Sequence, residues 1–204
     1  MLRLHTWTTP NGRKISIALE ELGIPYEVRP VDLSQKQQLS PEFLRLNPNH
    51  KIPVLEDGDQ VIWESGAILL HLGEQHDPSG RILPRDPRQR MAAIQYAFFQ
   101  AGGLGPNLGR LFSALRKTGE KNQEMIESFR AEVERLYGVL DRALSDGREY
   151  LAGPYSIGDI MHYPWLRYPL DTKSPDLLKY PRVVGWIERI AERPAVKRGM
   201  SVPA

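Results

Sequence analysis

Residues 2–22 read LRLHTWTTPNGRKISIALEEL, and they combine two different periodicities around one short turn. Over residues 2–7 apolar and polar residues alternate, which is typical of a strand. From Ile15 to Leu22 the apolar residues recur three and four positions apart, which is typical of an amphipathic helix. A strand that leads into a helix through a tight turn predicts the beginning of an α/β domain.

The turn, Thr8–Gly12, consists of two threonines, a proline, an asparagine and a glycine. In many α/β proteins a junction of this kind carries the reactive nucleophile, yet the chain contains no cysteine. Disulfides, thiolate metal sites and a cysteine nucleophile are therefore excluded within the chain. Thr9 and Asn11 do not titrate usefully, so we expect neither to act as a nucleophile or general base. A purely local interpretation stays open, in which Asn11 caps the helix and residues 10–12 form a turn.

The segments that follow predict a small mixed sheet. Tyr26–Asp32 is a β-rich run, and Ser40 precedes a proline as the N-cap of a short helix. Asp57–Asp59 is a hairpin signal between two β-rich runs. Ser65 is expected to cap a helix that ends near residues 73–75. The order indicates a parallel pair of strands and an antiparallel hairpin.

From residue 88 onward the strand signals vanish and the apolar spacing becomes helical. The predicted helices cover residues 88–116, residues 121–145, a segment that begins after Ser156 and is ended by Pro169, and residues 181–194. Residues 156–159 match a capping box. Ala101–Pro106, with three glycines and a proline, predicts a kink or a loop between two helices.

Composition limits the possible functions. Hydrophobic residues make up 41% and charged residues 25%, as in ordinary globular proteins, and the net charge of +2 does not indicate a nucleic-acid partner. No apolar run is long enough to cross a bilayer, and no signal peptide is evident, so we expect a cytoplasmic protein without a membrane partner. The five histidines lack zinc-site spacing, and His71 and His76 would not share a helix face, so we expect no metal.

Three segments of the first half resemble the glutathione-binding domain of the cytosolic glutathione transferases: TTPNGRKISIALEELGIPYE, LNPNHKIPVLED and VIWESGAILLHL. YLAGPYSIGDIMHYPWL and YPRVVGWIERIAERPAVKRGM are similar to the same family's helical domain. The resemblance implies a thioredoxin-like α/β domain at residues 1–80, a linker at 81–87 and an all-helical bundle at 88–204. It also implies a homodimer.

The same resemblance implies a set of glutathione contacts. Glu64 and Ser65 would hold the γ-glutamyl arm at a helix N-terminus, and Ile52, before a proline bond that can be cis, would pair with the cysteinyl part. The remaining implied contacts are Gln38 and Lys51 for the glycyl carboxylate, and Thr9 and Asn11 as donors to the glutathione sulfur. Local alternatives stay open, in which Ser65 merely caps its helix and Pro53 is trans.

The turn and the GGLGP segment resemble most the Nu-class bacterial members, which are similar to glutathione-dependent disulfide-bond reductases. The expected activity is reduction of small disulfides or organic hydroperoxides, with glutathione as co-substrate and a glutathione thiolate stabilised by Thr9 and Asn11. The partners would be glutathione or glutathione disulfide and a small second substrate. The alternatives are a transferase that conjugates glutathione to electrophiles and a non-catalytic binding module.

Overall fold

The computed structural model describes residues 1–117 and 122–203 and divides the chain into two compact units. One unit comprises Met1–Arg85 together with the C-terminal residues from Ala191 onward, and the other comprises Asp86–Ile190. The C-terminal segment groups with the first unit because its helix packs against the first helix of the chain. The division into domains at residues 1–80 and 88–204 with a linker at 81–87 stays a prediction.

The first unit is built around a sheet whose four strands lie in the order β2, β1, β3, β4. Its elements are β1 (Leu2–Thr6), α1 (Pro10–Leu22), β2 (Tyr26–Pro30), a 3₁₀ turn (Gln37–Leu39), α2 (Pro41–Leu46), β3 (Val54–Asp57), β4 (Gln60–Trp63) and α3 (Ser65–Gln75). β1 and β2 are parallel, while β3 is antiparallel to both β1 and β4. The mixed sheet predicted from the sequence is therefore confirmed.

Apolar side chains from the sheet and from helices α1 and α3 form the core of this unit. Leu4 and Leu55, which face each other in the register of β1 and β3, are fully buried. Ile17 of α1 and Ile68 of α3 are buried as well, so these helices turn their apolar faces inward. The predicted caps around α2 are also confirmed, because the Ser40 hydroxyl accepts a hydrogen bond from the Phe43 main-chain N–H at 3.2 Å.

The second unit is helical throughout its described elements. These are α4 (Pro87–Phe99), a π-helical turn (Gln100–Leu104), α5 (Gly105–Arg116), α6 (Gln123–Ala143), α7 (Ile157–Asp171), α8 (Pro175–Leu178) and α9 (Pro181–Ala191). After α9 the chain returns to the first unit with α10 (Pro194–Gly199). Residue 121, the predicted start of the second long helix, lies outside the described residues. None of the described helices is both long and apolar enough to cross a membrane.

Three predictions about the helical half need correction. Pro169 does not end α7, which continues to Asp171, and the Thr172 hydroxyl after the helix donates to the carbonyls of Tyr168 and Pro169. The Gly-rich segment is a π-helical turn, so the loop alternative is wrong, while the kink stays a prediction. The helix from Pro181 does end before Pro194, at Ala191, but it is not the last helix as expected, since Pro194 is the first residue of α10.

The predicted linker is more ordered than a solvated connection. The buried carboxylate of Asp77 accepts hydrogen bonds from the main-chain N–H groups of Arg81, Ile82 and Leu83 at 2.8 to 3.1 Å. Ile82 and Leu83 are fully buried. One carboxylate therefore folds this segment onto the first unit.

Candidate functional site

The strand register brings most of the predicted site residues to one end of the sheet. β1 ends at Thr6, next to Val54 at the beginning of β3, because His5 pairs with Val54 in the antiparallel register. β4 ends at Trp63, which pairs with the same Val54. The turn after β1, the loop before β3 and the start of α3 after β4 therefore emerge at the same end of the sheet.

At the turn after β1, Thr9 is the N-cap of α1. Its Oγ1 accepts a hydrogen bond from the Gly12 main-chain N–H at 3.2 Å, and its carbonyl accepts from the Arg13 N–H at 3.0 Å. The interpretation that Asn11 caps this helix is wrong, since Asn11 is the second residue of the helix itself. A glycine is required at position 12, because a Cβ there would lie 2.6 Å from the carbonyl oxygen of Trp7.

The capping role of Thr9 is compatible with a second role. A hydroxyl can accept two hydrogen bonds and donate one. As a cap, Thr9 uses only an acceptor position, so its own hydrogen remains available to donate to a ligand. The half-buried position of Thr9 leaves part of the side chain accessible.

The loop before β3 carries the Ile52–Pro53 peptide bond, which is cis. The Ile52 side chain is buried in a cluster with Val31, Phe43 and Val54, and Trp7 packs against the same cluster. In the parts of the chain that the structure describes, the main-chain N–H and C=O of Ile52 have no hydrogen-bond partner. The side chain is thus anchored while the peptide groups stay available to an added strand.

Asn47 holds the loop that leads to Ile52. This buried residue donates from Nδ2 to the Lys51 carbonyl at 2.7 Å and accepts from the Asn49 N–H at 2.9 Å. His50 adopts a left-handed conformation, with φ of 58°. That conformation is tolerated by asparagine and histidine better than by most residues, so we assign His50 to the loop geometry. The Lys51 side chain is exposed.

Gln38 lies in the 3₁₀ turn that follows β2. Its side-chain Oε1 is buried and has no hydrogen-bond partner among the described residues. A buried amide oxygen without a partner is unfavourable by roughly 1–3 kcal/mol. Gln38 is therefore a candidate to hold a ligand group or an ordered water.

The start of α3 differs from the prediction. Ser65 is the first residue of the helix rather than its cap, and Glu64 occupies the cap position without a side-chain capping hydrogen bond. In residues 1–117 and 122–203, the main-chain N–H groups of Gly66 and Ala67 also have no acceptor. The positive end of α3 is consequently open to an anion.

Glu64 has a strained backbone, with φ of 72° and ψ of 117°. A conformation of this kind in a residue other than glycine costs about 1–3 kcal/mol and is concentrated at functional sites. The Glu64 side chain is exposed, so its carboxylate can reach a cationic group of a ligand. The local interpretation of Glu64–Ser65 as an ordinary helix cap is therefore wrong.

Beneath the start of α3 lies a buried lysine that the sequence analysis missed. Lys14 of α1 is only 2% exposed, and its Nζ donates to the Ser65 Oγ at 3.4 Å. Burial lowers the pKa of Lys14 from 10.5 to about 7, although the Glu64 carboxylate acts in the opposite direction. A signal was present, because Lys14 precedes the buried Ile17 and Ala18 by three and four positions and so shares their helix face.

Two comparisons with known families cover most of the chain. Residues 2–74 match the family described as "Glutathione S-transferase, N-terminal domain", and residues 91–194 match "Glutathione S-transferase, C-terminal domain". The chain belongs to the glutathione S-transferase family. The resemblance and the two-part fold expected from the sequence, a thioredoxin-like domain followed by a helical one, are thereby confirmed.

Within this family, the chain is similar both to proteins named disulfide-bond oxidoreductases and to proteins named glutathione S-transferases. It is 39% identical to the disulfide-bond oxidoreductase YfcG of Escherichia coli, over 98% of this chain and 94% of the relative. It is 38% identical to glutathione S-transferase 1 of Schizosaccharomyces pombe, over 92% and 90% of the two chains. These names support an enzyme of the glutathione transferase type.

Among solved structures, the chain is similar to a Pseudomonas putida glutathione transferase with one glutathione disulfide bound per subunit. The TM-score is 0.92 at 38% identity, and the match covers all of this chain and 92% of the other. A Burkholderia graminis glutathione transferase with two glutathione molecules per subunit gives a TM-score of 0.91 at 38% identity, over 99% and 88% of the chains.

Proposed function

We propose that this glutathione transferase is a glutathione-dependent disulfide-bond reductase acting on small disulfides or organic hydroperoxides. The observation that carries the proposal is the uncapped start of α3, at the same end of the sheet as the open peptide groups of Ile52 and the Thr9 hydroxyl. A tripeptide with a carboxylate at each end and a thiol in the middle suits this arrangement of groups.

Each part of glutathione has a proposed partner. The γ-glutamyl carboxylate binds the N–H groups at the start of α3 beside Ser65, and Glu64 pairs with the neighbouring ammonium. The cysteinyl part adds to the sheet edge through the main chain of Ile52. The glycyl carboxylate is proposed to bind the ammonium group of Lys51 and the side-chain amide of Gln38.

Thr9 and Asn11 are proposed to stabilise the glutathione thiolate. A thiol with a pKa near 8.5 is mostly protonated at neutral pH. Lowering that pKa by one to two units needs roughly 1.4–2.7 kcal/mol of preferential stabilisation. One or two hydrogen bonds to the charged sulfur, each contributing about 1.5–3 kcal/mol, supply this amount.

In the proposed reaction, the glutathione thiolate attacks one sulfur of the substrate disulfide. A new sulfur–sulfur bond forms, the old one breaks, and the second substrate sulfur leaves as a thiolate that takes up a proton. A second glutathione then attacks the mixed disulfide, so that two glutathiones are oxidised to glutathione disulfide and the substrate is reduced to two thiols. A hydroperoxide would instead yield an alcohol and water.

Disulfides are the preferred substrate class for two reasons. YfcG and the E. coli protein YghU, 32% identical over 98% of this chain, are both named disulfide-bond oxidoreductases. The chain itself has no cysteine, which suits a reaction in which every sulfur comes from small molecules.

The test compares Thr9→Val, Thr9→Ser and Thr8→Ala in an assay of glutathione disulfide formation with a model disulfide. Thr9→Val keeps the branched shape and removes the hydroxyl, so we expect kcat/KM to fall at least ~10-fold, the equivalent of about 1.4 kcal/mol. Thr9→Ser should retain most of the activity. Thr8→Ala, at the exposed neighbouring threonine, is the matched control. Unchanged activity in Thr9→Val would remove this hydroxyl from the mechanism.

Parallel assays separate the disulfide activity from the alternatives. The wild-type protein is assayed with a model disulfide, an organic hydroperoxide and an aryl halide, each with glutathione. Faster turnover of the aryl halide would favour a conjugating transferase. Glutathione binding without turnover of any of the three would favour a binding module.

We also propose a homodimer, as the family resemblance implies, and a cytoplasmic location. Light scattering of the purified protein tests the dimer, and fractionation of the source cells tests the location. A monomer at assay concentrations would contradict the first proposal.

A further inference from the structure

A cluster of two histidines and an aspartate lies in the first unit, among residues to which the proposed reaction gives no role. Asp57 is the last residue of β3, at the turn of the hairpin, while His71 and His76 lie at the C-terminal half and end of α3. The Nε2 atoms of both histidines lie against the same oxygen of Asp57, His71 at 2.8 Å and His76 at 2.6 Å.

On one helix these two histidines would lie on different faces, because five residues along a helix correspond to a rotation of about 140°. The structure overturns that spacing argument. α3 ends at Gln75, and His76 has left helical geometry with φ of −124° and ψ of 2°. The ring of His76 therefore turns back toward His71, and the two ring centroids are 5.8 Å apart.

The cluster has the composition and spacing of a metal site. Its three potential ligand atoms all lie within 4.8 Å of one another, and in residues 1–117 and 122–203 it is the one group of three such side chains that does so. Imidazole nitrogens and a carboxylate oxygen are typical zinc ligands, at about 2.0–2.2 Å from the ion. Tetrahedral coordination at those lengths separates ligand atoms by about 3.3 Å, which lies between the 2.6 Å of the shortest contact in the cluster and its 4.8 Å limit.

The electrostatics of the cluster also favour a cation. The Asp57 carboxylate lies against both imidazole rings and supplies an anionic oxygen ligand between them. The three side chains are 13–28% exposed, which leaves room for water to complete the coordination shell.

We propose that Asp57, His71 and His76 form a Zn²⁺ site that joins the hairpin turn to the end of α3. Three protein ligands leave a fourth position for water. Because the ion would link two elements that are separated along the chain, its binding stabilises the folded first unit. This site is independent of the proposed glutathione chemistry.

The test uses the full chain without a polyhistidine tag, stripped of metal with a chelator and kept free of glutathione, whose thiol binds zinc. Isothermal titration with ZnCl₂ should show one equivalent bound per chain, and the melting temperature should rise with added Zn²⁺. Co²⁺ in place of Zn²⁺ should give the visible absorption of a tetrahedral nitrogen–oxygen site.

Two variants and a matched control assign the ligands. His76→Gln and Asp57→Asn should each weaken Zn²⁺ affinity at least ~10-fold, since even supporting residues around a metal contribute 10–100-fold. His5→Gln is the control, because His5 makes an equivalent 2.7 Å contact to a single carboxylate, Glu56, outside the cluster. It should leave zinc affinity unchanged.

Several results would overturn the proposal. They are the absence of a one-to-one binding event in the wild-type protein, equal affinity in wild type and His76→Gln, or an equal loss in His5→Gln. In each case the cluster would be an ordinary pair of histidine–carboxylate hydrogen bonds.

Discussion

Replacement of Lys14 by methionine tests the most unusual electrostatic feature of the first unit. The Lys14 ammonium is almost fully buried, 3.4 Å from the Ser65 hydroxyl. Burial lowers its pKa from 10.5 to about 7, with the Glu64 carboxylate opposing that change in part. Methionine has a similar length and no charge, so Lys14→Met removes the titration while it keeps most of the packing.

The sign and size of the effect follow from the two pKa values. Between pH 7 and 10.5 the unfolded chain holds a proton on Lys14 that the folded chain has lost. The cost of burying the ammonium is therefore complete below pH 7 and disappears as the pH rises toward 10.5, so the free energy of unfolding increases with pH. From pH 7.5 to 9.5 this group contributes a gain of about 2.5 kcal/mol in the wild-type protein, which Lys14→Met lacks.

The measurement is urea unfolding followed by tryptophan fluorescence at pH 7.5, 8.5 and 9.5. The quantity of interest is the difference in unfolding free energy between variant and wild type at each pH, since the contributions of all other groups cancel. Lys51→Met, at an exposed lysine of the same unit, is the control and should run parallel to wild type. If Lys14→Met also runs parallel to wild type, the buried ammonium does not titrate as argued.

Three further changes have defined outcomes. Glu64→Gly should raise the free energy of unfolding by about 1 kcal/mol, because glycine accepts a φ of 72° without strain. The same variant should raise the KM for glutathione. Urea titration and steady-state kinetics measure the two effects, and an unchanged KM would argue against a role for this carboxylate. Gly12→Ala should lower the free energy of unfolding by roughly 1–3 kcal/mol, because the added Cβ would lie 2.2 Å from the Thr6 hydroxyl oxygen. A thermal unfolding curve that matches the wild-type curve would contradict this prediction. Asp159→Ala should lower the free energy of unfolding by about 3 kcal/mol or more, because it leaves the buried Trp186 indole N–H and two main-chain N–H groups without acceptors. Chemical denaturation measures this loss, and a loss below 1 kcal/mol would refute the prediction.

Local signals in the sequence were sufficient for much of the fold. Period-two and period-3.6 patterns, together with the Asp57–Asp59 turn, predicted the four strands and the antiparallel hairpin that the structure contains. The Ser156–Asp159 capping box was also readable, and both of its reciprocal hydrogen bonds are present. These features depend on residues a few positions apart, so a sequence window contains all the interacting groups.

The predictions that failed did so for different reasons. Ser65 resembled an N-cap, but its hydroxyl accepts from Lys14, which lies 51 residues earlier. The segment from Arg81 was expected to be a linker, yet hydrogen bonds to Asp77 and burial of Ile82 order it. Helix-breaking residues were also given too much weight, because Pro169 lies inside α7.

For the candidate site, the sequence alone determined the residue types: a threonine and an asparagine at the turn, an isoleucine–proline pair, and a glutamate and serine before an apolar run. It also determined the resemblance that suggested glutathione. Only the tertiary structure decided that these segments emerge at one end of the sheet, that α3 begins without a cap above a buried Lys14, and that Asp57 lies between His71 and His76. The physical reason is that strand pairing and burial act between residues far apart along the chain, and local propensity carries no information about those partners.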